Sequence, residues 1–244
     1  MKKLACFMIA FAFVFLLAAC GRSPEADADK KDSGENAANA GVTAVFEAGN
    51  YYLEEKDRSP VSVWIDLPEG WTIKKGVPEG TAYYPDDELM RNSIIGRYGC
   101  LDRSYAVYDG NGEPVGVLIY SSMIWTDEMK SEFGYDGLDK NARLDLETDI
   151  AFSEFRGSLS QLSIRGADVR TVSSSEGCRV MICSTDVTST VDSDGNKTRF
   201  SCPAIAAYSS ELGIGVVAEF APSALSDTEL EAIARSIVIS AGAK

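Results

Sequence analysis

The sequence predicts an α+β domain in which an antiparallel β-sheet meander carries helices packed on its faces. Apolar and polar residues alternate along short segments, most clearly over 61–67, and this period of two is typical of half-buried strands. Clusters of Asp, Asn and Gly at 109–112 and 192–196 separate such segments and favour tight hairpin turns. A capped helical pattern at 226–237 provides a helix with one apolar face to pack on the sheet.

The first element is an export segment. Lys2 and Lys3 precede an apolar run that ends in Leu17-Ala18-Ala19-Cys20, which is the pattern of a secretory signal peptide. The run is shorter than the roughly 20 residues that a membrane-spanning helix needs. A Cys directly after Leu-Ala-Ala resembles the lipobox of bacterial lipoproteins. The resemblance implies that residues 1–19 are cleaved and that Cys20 carries palmitate-type acyl chains, which place the protein on the extracytoplasmic face of the cell membrane.

Residues 20–41 follow as a predicted flexible tether. They are rich in Ala, Asp, Glu, Lys, Ser and Asn and contain no aromatic residue. Such a segment buries too little apolar surface to offset its conformational entropy, and a flexible chain of this length has an average reach of roughly 25 Å. We therefore expect a single globular domain over residues 42–244, a length that suits one domain.

The composition excludes several classes of function. The chain has a formal net charge of −14, which argues against binding to nucleic acid or lying flat on anionic lipid. It contains no histidine, and this excludes Ser-His-Asp and Cys-His catalysis and histidine-type catalytic zinc sites. The Ser-x-x-Lys and Gly-x-Ser-x-Gly motifs are also missing beyond the leader. The sequence therefore predicts no catalytic residue, no cofactor site and no metal site.

Four cysteines remain in the predicted folded domain, namely Cys100, Cys178, Cys183 and Cys202. An extracytoplasmic location permits disulfides, and four cysteines allow three pairings. Cys183 and Cys202 flank a predicted hairpin and could face each other across it, in which case the bond would stabilise the fold by about 3 kcal/mol. The alternative is that the cysteines are buried thiols, which behave as small apolar side chains.

The strands follow in order along the chain. The strand at 61–67 ends at Pro68-Glu69-Gly70, a sequence suited to a tight turn, and 71–73 continues as the next strand. A hairpin joins 105–108 to 115–120, and a second joins 179–188 to 198–207. The segment 214–220 is a further predicted strand.

The last predicted helix is the best-defined local element. Ser226 and Glu229 have the spacing of a capping box, and one face carries the apolar residues Leu230, Ile233, Ala234 and Ile237. Residues 237–239 are expected to form an extended tail. In the middle of the chain we expect one helix from Asp127 and another after Asp149, with a polar loop over 134–146 between them.

Three of these features together suggest a known fold. Leu67-Pro68-Glu69-Gly70-Trp71 early in the chain, the Gly-turn hairpin in the middle and the capped helix that ends in Ala234-Arg235-Ser236-Ile237 resemble the PsbP-like family. The resemblance covers about 61–71 and 226–239. It implies an antiparallel sandwich with helices on its faces, and members that mostly act as binding or assembly proteins. The segment 124–164 has no counterpart in that pattern.

Acidic residues form the most conspicuous candidate sites. Asp109-Gly110-Asn111-Gly112 and Asp192–Asn196 resemble the start of calcium loops, but the Gly and Glu that an EF-hand needs further along are missing, so hairpin turns are favoured. Seven carboxylates crowd the middle segment, where a solvated acidic surface is favoured over a catalytic pair. They are Asp127, Glu128, Asp136, Asp139, Asp145, Glu147 and Asp149.

Aromatic residues are the other candidates. Trp64 has the strand parity of Ser62 and Asp66, opposite the apolar face. We expect a second layer of helices to cover it, the alternative being an exposed anchor for a partner. Trp71, Trp125 and the Tyr pairs at 51–52 and 83–84 could also line a ligand groove or a partner surface.

The sequence thus favours a membrane-anchored, extracytoplasmic lipoprotein that acts as a non-enzymatic binding or assembly module. Its partners would be the membrane, through the lipid on Cys20, and another envelope protein or a small ligand. Two alternatives remain open. One is a carboxylate-dependent hydrolase of envelope polymers, which requires two convergent carboxylates, and the other is a solute-binding receptor, which usually requires two lobes around a cleft.

Overall fold

The computed structural model describes residues 42–53, 59–80, 82–99, 102–175 and 177–242. The strands, numbered β1 to β11, are Val42–Ala48, Val61–Leu67, Thr72–Lys75, Ser104–Tyr108, Pro114–Ser122, Ser160–Ser163, Arg170–Ser175, Cys178–Thr188, Arg199–Ser209, Ile214–Phe220 and Val238–Ala241. The helices α1 to α5 are Asp87–Asn92, Ile94–Tyr98, Asp127–Glu132, Lys140–Ala151 and Asp227–Ser236. Short 3-10 turns lie at Tyr135–Gly137 and Ser153–Phe155. None of the described helices is long and apolar enough to cross a membrane.

The predicted α+β class is confirmed, with the strands arranged in two antiparallel sheets. The small sheet has the order β1-β2-β11, and the large sheet has the order β3-β4-β5-β10-β9-β8-β6, with β7 also paired to β8. The consecutive pairs β4–β5, β8–β9 and β9–β10 form the predicted meander. The pairing of β5 with β10 joins the two parts of the large sheet, although these strands are far apart in the sequence.

The predicted turn after β2 moves the chain between the sheets. The Trp71 amide donates to the Pro68 carbonyl at 3.1 Å, and Gly70 has a φ of 80°, which favours glycine. β3 then pairs with β4 and not with β2. The turn therefore connects two layers of the fold.

Two acidic turns have the same geometry. Oδ1 of Asp109 accepts hydrogen bonds from the amides of Asn111 at 2.8 Å and Glu113 at 2.9 Å. Oδ1 of Asp192 accepts from the amides of Asp194 at 2.9 Å and Asn196 at 2.8 Å. These Asx-type turns confirm the prediction of hairpin connections.

The final helix also follows the prediction. The Ser226 side chain accepts from the Glu229 amide, and the Glu229 carboxylate accepts from the Ser226 amide at 2.8 Å, so the capping box is complete. Its buried face carries the predicted Leu230, Ile233 and Ala234. The expected extended tail is β11, which pairs with β2.

The middle segment differs from the prediction. The helix expected from Asp127 is present as α3, but the helix expected after Asp149 is wrong, because α4 occupies the stretch predicted as a polar loop. Asp139 caps α4 by accepting from the Ala142 amide at 2.9 Å. The buried positions of α4 are Leu144, Glu147, Thr148 and Ala151, which lie on one face although two of them are polar. Because of these two polar residues, the spacing of apolar residues does not predict the helix.

Both faces of the large sheet are buried. One core fills the space between the sheets and beneath α5, and it includes Phe46, Ile65, Ile205, Phe220 and Ile233. The other lies under α1, α2 and α4, and it includes Leu89, Ile94, Phe152, Phe155 and Leu162. Every polar side chain that faces either core must therefore find its partners there.

Candidate functional site

Glu147 is a buried carboxylate on the sheet-facing side of α4. Its exposed fraction is 2%. Oε1 accepts a short hydrogen bond from the hydroxyl of Tyr135, and the hydroxyl of Tyr208 also lies close enough to interact with the carboxylate. Two tyrosine hydroxyls therefore hold this carboxylate in the interior.

Aromatic side chains surround this carboxylate. The rings of Trp125 and Tyr135 have centroids 4.9 Å apart. Tyr208 is fully buried on β9, and burial, the nearby Glu147 charge and the hydrogen bond to that carboxylate raise the pKa of its hydroxyl. Within the described part of the chain, Nε1 of Trp125 has no hydrogen-bond partner. We call Trp125, Tyr135, Glu147 and Tyr208 the Glu147 cluster.

The strand register brings further polar groups to the same row of the large sheet. Gly215 on β10 pairs with Ser121 on β5 and with Tyr208 on β9, and Tyr208 pairs with Arg179 on β8. Oγ of Ser121 and Nε of Arg179 are also buried and without partners among the residues described. One row of the sheet therefore presents several unsatisfied polar atoms beneath α4.

Gly215 determines how closely α4 approaches this row. A Cβ at Gly215 would lie 2.6 Å from Oγ of Ser121 and 2.8 Å from Cε1 of Phe152. Phe152 is the C-cap residue of α4, and it packs directly over the glycine. The missing side chain thus lets the end of the helix lie against the sheet, which positions Glu147 above Tyr208.

The segment between β5 and α4 covers the Glu147 cluster. None of the residues of α3 is buried, and Tyr135 joins this segment to Trp125 and Glu147. The guanidinium of Arg143 lies 4.8 Å from the Tyr135 ring centroid and donates to the Leu138 and Asp136 carbonyls at 3.0 and 2.9 Å. These contacts hold the segment against α4.

Glu147 has no cation bonded to it among the described residues. The neighbouring arginines are engaged elsewhere, since Arg143 donates to carbonyls and Arg179 pairs with Asp145. The cluster therefore offers a carboxylate and aromatic ring faces to a positively charged or hydrogen-bond-donating group.

A second buried glutamate, Glu219 on β10, is fully satisfied. Its exposed fraction is 0%. Oε1 accepts from the hydroxyls of Tyr83 at 2.6 Å and Tyr84 at 2.8 Å, and Oε2 accepts a short hydrogen bond from Thr185. Burial raises the pKa of Glu219, although these three hydrogen bonds oppose the rise. This arrangement is structural, because each carboxylate oxygen already has a hydroxyl partner.

A third polar cluster is a closed ion pair. Arg103 binds Glu154 through both of its terminal nitrogens at 2.9 Å and donates to the Tyr120 carbonyl at 3.1 Å. Its guanidinium carbon lies 4.4 Å from the Tyr51 ring centroid, and the Tyr51 hydroxyl donates to Glu154 at 3.2 Å. This pair fastens the chain after β1 to the large sheet.

The seven carboxylates of the middle segment do not converge. Asp149 pairs with Arg156 and Arg165, Asp145 pairs with Arg179, and Asp139 caps α4. Asp127, Glu128 and Asp136 are exposed. The predicted solvated acidic surface is thus correct for most of them, and Glu147 is the buried exception.

The predicted facing of Cys183 and Cys202 is wrong. In the register of β8 and β9, Cys183 lies opposite Ala204, and Cys202 lies opposite Thr185. Both thiols are buried, and Cys178 is also free. The register places the two cysteines on one face of the sheet but two positions apart along the strands. Cys100 and Cys20 lie outside the described residues.

The expected helical cover over Trp64 is also wrong, because 42% of this side chain is exposed. Trp64 lies on the outer face of the small sheet, where it pairs with Val45 on β1 and Val238 on β11. Val238 is 52% exposed. Trp64 thus fits the alternative of an exposed apolar side chain, since the core takes up only the inner face of β2.

Sequence reasoning found only part of the candidate site. Trp125 and Glu147 were among the residues considered, but Tyr135 and Tyr208 were missed. The alternation along β9, in which Ala204, Ala206 and Tyr208 share one parity, could have indicated that Tyr208 faces a core. Comparison of the chain with protein-family models, curated proteins and solved structures finds no match.

Proposed function

We propose that this protein is a lipid-anchored, extracytoplasmic binding module whose ligand site is the Glu147 cluster. The observation that carries the proposal is the group of buried polar atoms beside Glu147 that have no hydrogen-bond partner among the described residues, namely Nε1 of Trp125, Oγ of Ser121 and Nε of Arg179. Native proteins rarely leave buried polar atoms unpaired, and those that remain are explained by a ligand, water or functional strain. A binding role requires only that a ligand occupy this site.

The proposed location on the outer side of the membrane rests on the sequence. Leu17-Ala18-Ala19-Cys20 supports lipidation at Cys20, and the tether over 20–41 would hold the domain close to the membrane surface. Several acyl chains on one residue give durable attachment, because each buried CH₂ contributes about 0.8 kcal/mol. The module would therefore meet its ligand outside the cytoplasm.

Native mass spectrometry tests the binding role. The full lipidated protein, purified in mild detergent from its host membrane, is incubated with the host's small-molecule extract. We expect an adduct of small-molecule mass that disappears in Glu147→Gln, since the substitution removes the carboxylate charge but keeps the side-chain size. Glu132→Gln on α3 is the matched control, because Glu132 is exposed and its loss changes the net charge equally. Wild-type protein that carries only water would contradict the proposal.

A further inference from the structure

The outer face of the small sheet carries an apolar row that crosses all three of its strands. Trp64 on β2 lies opposite Val45 on β1 and opposite Val238 on β11, and residues that are opposite each other in an antiparallel pair lie on one face. Trp64 and Val238 are both exposed, so the described part of the chain leaves this row open to solvent. We call Val45, Trp64 and Val238 the Trp64 row.

The Trp64 row differs from the scattered apolar side chains of an ordinary surface. Single exposed apolar residues are common on monomers, whereas here each strand of the sheet contributes one residue to the same row. The other face of β2 is packed in the core, with Val63 and Ile65 buried, so the row has a rigid support. Tryptophan is enriched among the side chains that dominate the binding energy of protein interfaces. The row therefore has the composition of an interface centre.

Acidic side chains flank the Trp64 row on both sides. Glu47 lies in the next row on one side, opposite Ser62, and Asp66 lies in the next row on the other side, opposite Thr43. Successive side chains on one face of a strand are about 7 Å apart. Glu47 and Asp66 are exposed, and neither forms an ion pair with another described residue. No Lys or Arg stands at an outward position in the register of these strands.

This charge pattern discriminates between the possible occupants of the face. A second copy of the chain would bring its own Glu47 and Asp66 to the contact, and like charges at an interface oppose association. An anionic lipid surface would be repelled for the same reason. The complementary surface has an apolar centre with basic side chains on both sides of it.

We infer that the Trp64 row is a docking surface for another envelope protein, which presents an apolar patch flanked by lysine or arginine side chains. Trp64 and Val238 pack against the apolar patch. Glu47 and Asp66 pair with the flanking cations, which fixes the orientation of the partner and speeds the encounter.

The position of this surface in the chain is consistent with a partner at the membrane. The predicted tether ends at residue 41, and β1, which contributes Val45, begins at Val42. A tether of this length has an average reach of roughly 25 Å, so a partner held at the same membrane is accessible. The inference thus rests on the proposed location of the protein but not on ligand binding at the Glu147 cluster.

Photo-crosslinking of the full lipidated protein in its host membrane tests the docking surface. The photoreactive residue p-benzoylphenylalanine replaces Val238 at the end of the row, or Val191 as the matched control. Val191 is a valine of similar exposure, at 55%, in the connection between β8 and β9. After irradiation, peptide mass spectrometry maps the crosslinked site. We expect the probe at Val238, but not the control, to label an apolar segment of an envelope protein with Lys or Arg on both sides.

Binding of the mapped partner, purified in the same detergent, is then measured by biolayer interferometry. Trp64→Ala should weaken the Kd at least about tenfold, because it removes the central anchor. The double variant Glu47→Lys and Asp66→Lys should weaken it comparably through like-charge repulsion. Glu128→Lys with Glu132→Lys is the matched control, since both residues are exposed on α3 and the net charge changes equally, and it should leave the Kd unchanged. Circular dichroism verifies the folding of each variant.

Each alternative occupant gives a different result. Adducts of lipid mass would show that the row contacts the membrane, and a crosslink to a second copy of the chain would show self-association, and either result overturns the inference. Labelling no stronger than at Val191, or a mapped site without flanking Lys or Arg, would overturn it too. So would a Kd that Trp64→Ala or the charge reversal leaves unchanged. None of these results decides ligand binding at the Glu147 cluster, which the small-molecule adduct tests separately.

Discussion

At the residue scale, the two buried glutamates differ in how their oxygens are occupied. Glu219 receives hydrogen bonds from three hydroxyls on both oxygens, whereas Glu147 is held by the hydroxyls of Tyr135 and Tyr208. Burial penalises the charged form of Glu219 and raises its pKa. Glu219 is part of the framework, whereas Glu147 lies beside the unpartnered polar atoms of Trp125, Ser121 and Arg179 and marks the candidate ligand site.

The raised pKa of Glu219 predicts a pH dependence of stability. Because burial raises the folded-state pKa of Glu219 above its ordinary value of 4.5, the folded state keeps the proton at pH values where the unfolded state has lost it. The stabilisation is fully present below about pH 4.5 and is lost as the pH rises through the folded pKa. Glu219→Gln mimics the protonated form, so this loss should be absent from its unfolding free energy.

Urea unfolding at a series of pH values measures this effect as the difference between wild type and Glu219→Gln. The variant should gain relative stability as the pH rises above 4.5. Glu211→Gln is the control, since Glu211 lies in the exposed turn between β9 and β10, and its difference from wild type should stay nearly constant. A constant difference for Glu219→Gln would show that the carboxyl titrates normally in the folded protein.

At the element scale, local signals were sufficient for some elements and insufficient for others. The capping box of Ser226 and Glu229 lies within four residues, so α5 could be predicted from its own sequence. The face of α4 includes Glu147 and Thr148, whose burial is explained only by neighbours distant in sequence. The pairing of β5 with β10 is likewise non-local, and no turn between them specifies it.

The docking of α4 on the sheet depends on Gly215. Gly215→Ala should lower the free energy of unfolding by about 1–3 kcal/mol, the usual cost of overpacking, because the new Cβ meets Ser121 and Phe152 below 3 Å. Since the clash lies beneath the end of α4, formation of the Glu147-dependent adduct should weaken too. Urea unfolding and native mass spectrometry measure the two effects.

Gly137→Ala is the matched control for this prediction. A Cβ at Gly137 would meet nothing within 4 Å, so the same chemical change should alter stability by about 0.5 kcal/mol or less. Equal effects of the two substitutions would mean that Gly215 does not set the helix position.

At the scale of the whole molecule, the two-sheet architecture predicts opposite behaviour for two tryptophans near β2. Trp71 is 9% exposed and packs in the core, with its ring centroid 6.3 Å from that of Phe220. Trp71→Ala should therefore cost about 3–5 kcal/mol of unfolding free energy. Trp64→Ala, on the open face of the small sheet, should cost about 1 kcal/mol or less.

Urea unfolding of the two variants compares these costs, and acrylamide quenching of the remaining tryptophan fluorescence reports which ring is accessible. Quenching should fall when Trp64 is removed and rise when Trp71 is removed. A cost for Trp64→Ala as large as that for Trp71→Ala would mean that the outer face of the small sheet is covered after all.

At this scale, contacts between residues that are far apart in the chain are what the sequence could not predict. The Glu147 cluster joins residues at 125, 135, 147 and 208, which come together only when β5, α4 and β9 are packed. The two Asp turns could be predicted because each Asp side chain bonds its own local backbone. Strand β2 shows both cases. Its alternation of apolar and polar residues predicted which side chains point outward, but it could not predict whether another element of the fold covers them.

The last prediction concerns the membrane anchor, which the sequence alone supports. Cys20→Ala should abolish incorporation of radiolabelled palmitate, because the acyl chains need the Cys20 thiol and the new mature amino terminus. Cys6→Ala is the matched control, since Cys6 lies within the segment predicted to be removed and its loss should leave the label unchanged. Mass spectrometry of the wild-type membrane fraction should find a chain that begins at an acylated Cys20. An intact leader or an unmodified Cys20 in the wild type would contradict the anchor, while the binding chemistry of the Glu147 cluster could still be measured on the folded domain.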